Sequence, residues 1–105
     1  MSKEYANLTM WSDVDPYEVI ETRTPKKKII RAMSAELDKD WKPEVIPGGF
    51  LGHCTNQHTQ KWNITSCEES KQFPIRLHKD GWWRDKRGAR YRLSDKPVKF
   101  YDYNF

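Results

Sequence analysis

This chain of 105 residues has no long apolar run, only two cysteines and only five glycines. Each shortage closes off a class of protein. No stretch approaches the roughly 20 consecutive apolar residues that a membrane-crossing helix needs. The opening MSKEYANLTM lacks the apolar core of a secretory leader, so a cytoplasmic setting with reduced cysteines is expected, and no membrane partner. Cys54 and Cys67 form no C-x-x-C pair. His53, Cys54 and His58 are zinc-ligand types, but their spacing matches no common finger, so no metal is expected there. A loop held by Asn and Gln side chains bonding its backbone is the plainer reading of 52–58.

Enzymatic chemistry is equally poorly supplied. Cys54 beside a histidine is a nucleophile pair only with a depressed thiol pKa, an oxyanion pocket and an orienting third group; Asn56 and Asp85 are of the orienting type, but a sequence does not place either beside Cys54. The carboxylates Asp13 and Asp15, and Glu68 and Glu69, sit in polar segments and read as solvated. The stretch Gly48-Gly49-Phe50-Leu51-Gly52 has neither the lysine nor the following helix of a phosphate-cradling loop. A non-enzymatic protein without a cofactor is the expectation.

What the chain does have is aromatic rings and cations. Five Trp, five Tyr and four Phe supply burial that disordered chains lack. The length suits a single domain over 1–105 with a modest core. Charge is uneven. Residues 1–52 carry eight Lys/Arg and nine Asp/Glu, whereas 53–105 carry eleven and six, so the whole excess of the +4 chain lies in the second half. From Arg76 to Phe105, nine cations are threaded with Trp82, Trp83, Tyr91, Phe100, Tyr101, Tyr103 and Phe105. Cations neutralise phosphates, and rings offer faces to bases or to a partner's arginine.

The local pattern is β. Tyr17–Arg23 reads as a strand, Thr24-Pro25-Lys26-Lys27 as a turn and Lys28–Glu36 as the returning strand. A helix from Pro25 is the rival, with Ile29, Ile30, Met33 and Leu37 on one face. Three lysines in its first turn oppose the helix dipole, which favours the hairpin. A short helix is still allowed near Ala35–Trp41. Residues 1–16 read as an irregular lead-in, with Trp11 covering one end of the core. Residues 38–52, rich in Pro and Gly, read as a long connection. Strands are expected over Lys61–Ser66, Phe73–His78, Trp82–Asp85 and Ala89–Leu93, with turns at Asp80-Gly81 and Arg87-Gly88 and a closing segment Val98–Phe105. Five to seven short strands in this length predict a mainly β fold, a small antiparallel barrel or curved sheet of SH3-like kind.

On that fold, Arg84, Lys86, Arg87, Arg90 and Arg92 gather on one face and turn of a hairpin. Lys26, Lys27 and Lys28 make a second basic turn. Because Trp82 and Trp83 are adjacent in a strand, one points outward as a stacking platform or interface anchor. These residues are the candidate binding site. Structural readings stand beside it: a solvated basic face, and an outward Trp that merely covers an edge.

Three segments, WSDVDPYEVIE, PGGFLGHCTNQHTQKW and PVKFYDYNF, together resemble small proteins of bacteriophages and mobile elements, a group that includes anti-CRISPR inhibitors of type II-A Cas9. The resemblance implies a bacterial cytoplasmic setting and direct binding to a Cas9-type effector or its guide RNA complex. It carries no functional residues with it. A general DNA- or RNA-binding module is the alternative.

Overall fold

The structure, a computed structural model, describes residues 4–46, 53–54 and 56–101, with backbone alone for 45, 46, 53 and 54. Ten strands follow in chain order: β1 (Tyr5–Thr9), β2 (Val14–Thr24), β3 (Lys27–Ala32), β4 (Ser34–Leu37), β5 (Val45–Ile46), β6 (His53–Cys54), β7 (Trp62–Thr65), β8 (Gln72–Leu77), β9 (Trp83–Arg84) and β10 (Arg90–Ser94). The fold is mainly β, as the alternation in the sequence predicts. Six strands close an antiparallel barrel in the order β1-β10-β9-β8-β3-β2. Closure removes the exposed sheet edges that would otherwise recruit other chains.

The residues explain the closure. β2 is eleven residues long, enough to pair with β1 through its first half and with β3 through its second. Register shifts at Val19/Glu21 and Thr22/Thr24 bulge it against β3. Bulges add local right-handed twist, which bends the ribbon toward closure. The β8–β9 and β9–β10 connections are both three-residue loops, Lys79-Asp80-Gly81 and Lys86-Arg87-Gly88. Each ends on a glycine with φ near +86° or +87°. That left-handed conformation is cheap only for glycine, and it is the geometry of a type I turn with a glycine bulge.

Alternation delivers the core. Ala6, Ile30, Ile75, Trp83 and Tyr91 point inward, with Leu8, Tyr17, Val19, Phe73, Leu77, Ala89 and Leu93 packed around them. Tyr17 meets Phe73 and Tyr91 edge-on, with centroids at 5.7 and 5.4 Å. Edge-to-face contact aligns ring quadrupoles favourably and adds to the area buried.

Between β3 and β8 the chain leaves the barrel as an arm. β4 pairs with β7, and β5 with β6. The outline is elongated, 52 × 28 × 22 Å with a radius of gyration of 15.9 Å, against about 13 Å for a compact chain of this length. Glu18 secures its base. The carboxylate accepts from Arg31 at 2.6 and 3.1 Å and from the Ser66 hydroxyl at 2.8 Å. The C-terminal segment adds a second tie. Lys99 pairs with Asp15 and lies 5.4 Å from the Trp62 ring centre. Gln60 brackets the backbone of Tyr101, donating to its carbonyl and accepting from its amide, both at 2.9 Å.

Several sequence expectations need correction. Residues 5–9 and 14–16 are strand rather than irregular lead-in, because β1 is the piece that closes the barrel. Trp11 covers no core: it stands 91% exposed in the β1–β2 connection. Residues 25–37 form a turn and two strands, so the rival helix is absent. The segment 35–41 holds β4 and a turn. The only helical element among the described residues is one 3-10 turn, Gln57–Thr59. The connection 38–52 contains β5, which pairs with β6. Of the closing segment, Phe100 makes a single bridge to Val14, and residues 102–105 lie outside the described residues. No helix among the described residues is long and apolar enough to cross a membrane.

Candidate functional site

Strand register builds a row of cations. Arg84 on β9 stands directly opposite Arg76 on β8 and Arg90 on β10. Arg76 in turn stands opposite Lys27 on β3. Directly paired residues share a face and place their Cβ atoms about 5 Å apart. Ile75, Trp83 and Tyr91, the neighbours in sequence, point inward, so the four cations Lys27, Arg76, Arg84 and Arg90 point outward in line across four strands. Like charges directly opposite are destabilising by about 0.2–1 kcal/mol a pair. This row holds three such pairs.

Among the described residues, one carboxylate serves it. Arg84 donates to Asp80 at 2.6 Å and to the Gly88 carbonyl at 2.8 Å. The Arg84 side chain, then the Trp82 amide, hold the Asp80 carboxyl below its ordinary pKa, so it stays charged beside the row. Lys27, Arg76 and Arg90 have no acidic partner among the described residues.

A second row lies alongside. The His78 amide donates to the Trp82 carbonyl at 2.9 Å, placing those two residues opposite each other. Trp83 is in the core, and Trp82 faces out. The guanidinium carbons of Arg90 and Arg92 lie 5.0 and 5.3 Å from the Trp82 ring centre. The indole thereby orders both arginines. A pre-oriented guanidinium fork loses less side-chain entropy when it closes on a phosphate.

The remaining predicted residues separate. Lys86 and Arg87 are exposed at the tip of the β9–β10 loop, next to the row. Lys26 is exposed in the β2–β3 turn. Lys28 does not belong with them. It is buried, pairs with Glu4 at 2.6 Å, donates to the Thr22 hydroxyl at 3.0 Å and lies 5.5 Å from the Trp83 ring centre. Its register partner is Ile75, so it points inward and stabilises the barrel. Arg76 was absent from the candidates drawn from sequence. The alternation of Phe73–His78 places it on the outward face, but only pairing shows that it stands between Lys27 and Arg84.

At the end of the barrel where β9 turns into β10, Asp85 caps its own loop. Its carboxylate accepts from the amides of Arg87 and Ala89 at 2.8 and 3.1 Å and from the Tyr91 hydroxyl at 2.9 Å. Burial first, then the bond to Asp85 and its charge, push the Tyr91 phenol far above its ordinary value of 10.0. Tyr17 is raised too, by burial and then by Asp15 and Asp85. The folded phenols hold their protons where unfolded ones lose them. Their contribution to stability is therefore complete below about pH 10 and is lost as pH rises beyond it. Thermal unfolding between pH 8 and 12 should show the midpoint falling above pH 10. Tyr91→Phe should make that fall shallower, while costing about 1–2 kcal/mol at neutral pH through the lost hydrogen bond. An equally steep alkaline fall in the variant would contradict this role.

Among the described residues of the segment that carries the zinc-ligand types, side-chain amides bond the backbone: Gln60 donates to the Gln57 carbonyl at 2.8 Å. Asn56 accepts from the Glu44 amide at 2.7 Å and donates to the Lys42 carbonyl at 2.8 Å. No cluster of three His, Cys, Asp or Glu among the described residues could hold a metal; the side chains of His53 and Cys54 lie outside that set. Scans of family models, curated proteins and solved structures find nothing that matches this chain.

Proposed function

We propose that this protein is a non-enzymatic binding module whose β3-β8-β9-β10 face grips the phosphate backbone of a nucleic acid. The row Lys27–Arg76–Arg84–Arg90 is the observation that carries the reading. Three repulsive cross-strand pairs weaken a small barrel, and among the described residues only one carboxylate offsets them. A costly array of this kind is maintained when a partner supplies the missing negative charge. Phosphates along a strand supply it at a spacing that a line of cations can follow. Trp82, Arg90 and Arg92 add an ordered arginine–indole platform, and the exposed Trp11 offers a further ring at the Arg90 end, since Thr9 pairs with Arg90.

The resemblance to phage inhibitors suggests a particular partner, the guide RNA held by a Cas9-type effector, with the protein acting as an anti-CRISPR by direct binding. A general phage nucleic-acid-binding module uses the same face without an effector. A mobility-shift titration with labelled RNA and DNA, alone and as the guide complex of Cas9, distinguishes them. A shift only with the complex supports the inhibitor. A shift with bare strands supports the general module. No shift with any of these at micromolar protein removes the nucleic-acid reading.

A further inference from the structure

The mouth of the barrel holds a cavity of about 510 Å³, within the size range of small-molecule sites. Its wall is aromatic: Tyr17 and Phe73 are half-buried, with Tyr91 behind them. Its rim is cationic: Lys71, Lys86 and Arg87 are exposed and have no acidic partner among the described residues. The one carboxylate among the described lining residues, Asp85, is already engaged by two amides and the Tyr91 hydroxyl. The cavity adjoins the cation row, because Arg84 donates to the carbonyl of Gly88 in the loop that carries Lys86 and Arg87.

A flat apolar wall with a positive rim is complementary to a flat ring that carries a phosphate. The geometry points to a nucleotide-binding pocket: one unstacked nucleotide inserts its base against Phe73 and Tyr17 and leaves its phosphate with Lys71, Lys86 and Arg87. The inference rests on the nucleic-acid reading of the barrel face and deepens it. A strand lying along the row reaches the mouth at the β9–β10 loop, so the face selects a single-stranded end or loop, whose bases can be splayed out, over a continuous duplex.

The test uses the full chain, labelled with nitrogen-15 and titrated with adenosine 5′-monophosphate, with inorganic phosphate as control. The nucleotide should shift the amides of Phe73, Ala89 and Tyr91. Phosphate alone should move only those near Lys71, Lys86 and Arg87. Lys86→Glu with Arg87→Glu, a loop change outside the core, should weaken nucleotide binding about tenfold or more. Phe73→Leu should weaken the nucleotide but not phosphate; should it prove unstable, the loop variant and the phosphate control decide alone. Identical shifts from nucleotide and phosphate, or none at about 10 mM, overturn the pocket. If the pocket fails while a long RNA still binds through Arg76 and Arg90, the proposed function stands without it. If the nucleotide binds and no RNA shift exists, the pocket stands and the face reading falls.

Discussion

Replacing Arg76 and Arg90 together by glutamate should lower affinity for a single-stranded RNA of about 20 nucleotides by about a hundredfold or more, and should raise the melting temperature. Each arginine forfeits a charge-assisted contact of about 1.5–3 kcal/mol, so two forfeit at least a factor of a hundred. Stability moves the other way. The exchange turns all three like-charge pairs of the row, Lys27–Arg76, Arg76–Arg84 and Arg84–Arg90, into attractive ones. At about 0.2–1 kcal/mol a pair and about 4 °C per kcal/mol, the midpoint should rise by about 2–12 °C. Opposite signs in the two readouts are the signature of a row kept for binding. A fall in both would mean that the arginines support the fold. Unchanged affinity would remove the site assignment.

Ile30→Ala should have the largest effect on stability, about 2–5 kcal/mol, or roughly 10–25 °C in melting temperature. Ile30 is completely buried, opposite Val19 on one side and Phe73 on the other. It therefore joins β2 to β8 through the core. A chain of this length has about 5–15 kcal/mol in total, so the variant approaches the threshold of folding. Ile20→Ala, at a surface position 39% exposed, should change stability by no more than about 0.5 kcal/mol. Chemical denaturation of both variants measures the contrast. A loss under about 1 kcal/mol for Ile30→Ala would contradict a sealed barrel core.

The strands were legible where alternation is strong and turns are explicit. Phe73–His78, Trp82–Asp85 and Ala89–Leu93 are bounded by Asp80-Gly81 and Arg87-Gly88, and the structure places β8, β9 and β10 there. Alternation also showed that one of Trp82 and Trp83 faces out. Which one depends on register. A two-residue loop at Asp80-Gly81 would pair His78 with Trp83, whereas the three-residue loop pairs His78 with Trp82. One residue of slip exchanges the faces, and a turn dipeptide alone does not settle its length.

β1 was not legible, because Tyr5–Thr9 is only five residues long, and its strand character comes from pairing with β2 and with β10, 80-odd residues away in sequence. Trp11 was misplaced because a tryptophan is more often buried than presented. Lys28 was misplaced because a run of three lysines reads as one patch. In a strand its members alternate, and Lys28 turned inward to Glu4 and Trp83 while Lys27 joined the outward row. The row itself needed four strands in register before its members could be seen as neighbours. Composition could report an excess of cations in the second half, but not their alignment.

The most direct test of the cation row is the salt dependence of RNA binding by the full chain. With Lys27, Arg76, Arg90 and Arg92 each neutralising one phosphate of a single strand, log affinity should fall with log salt at a slope of about −3, from roughly −0.7 per contact. Arg76→Gln with Arg90→Gln should bring the slope to about half that value. A slope near zero, or one that the double variant leaves unchanged, would contradict the account.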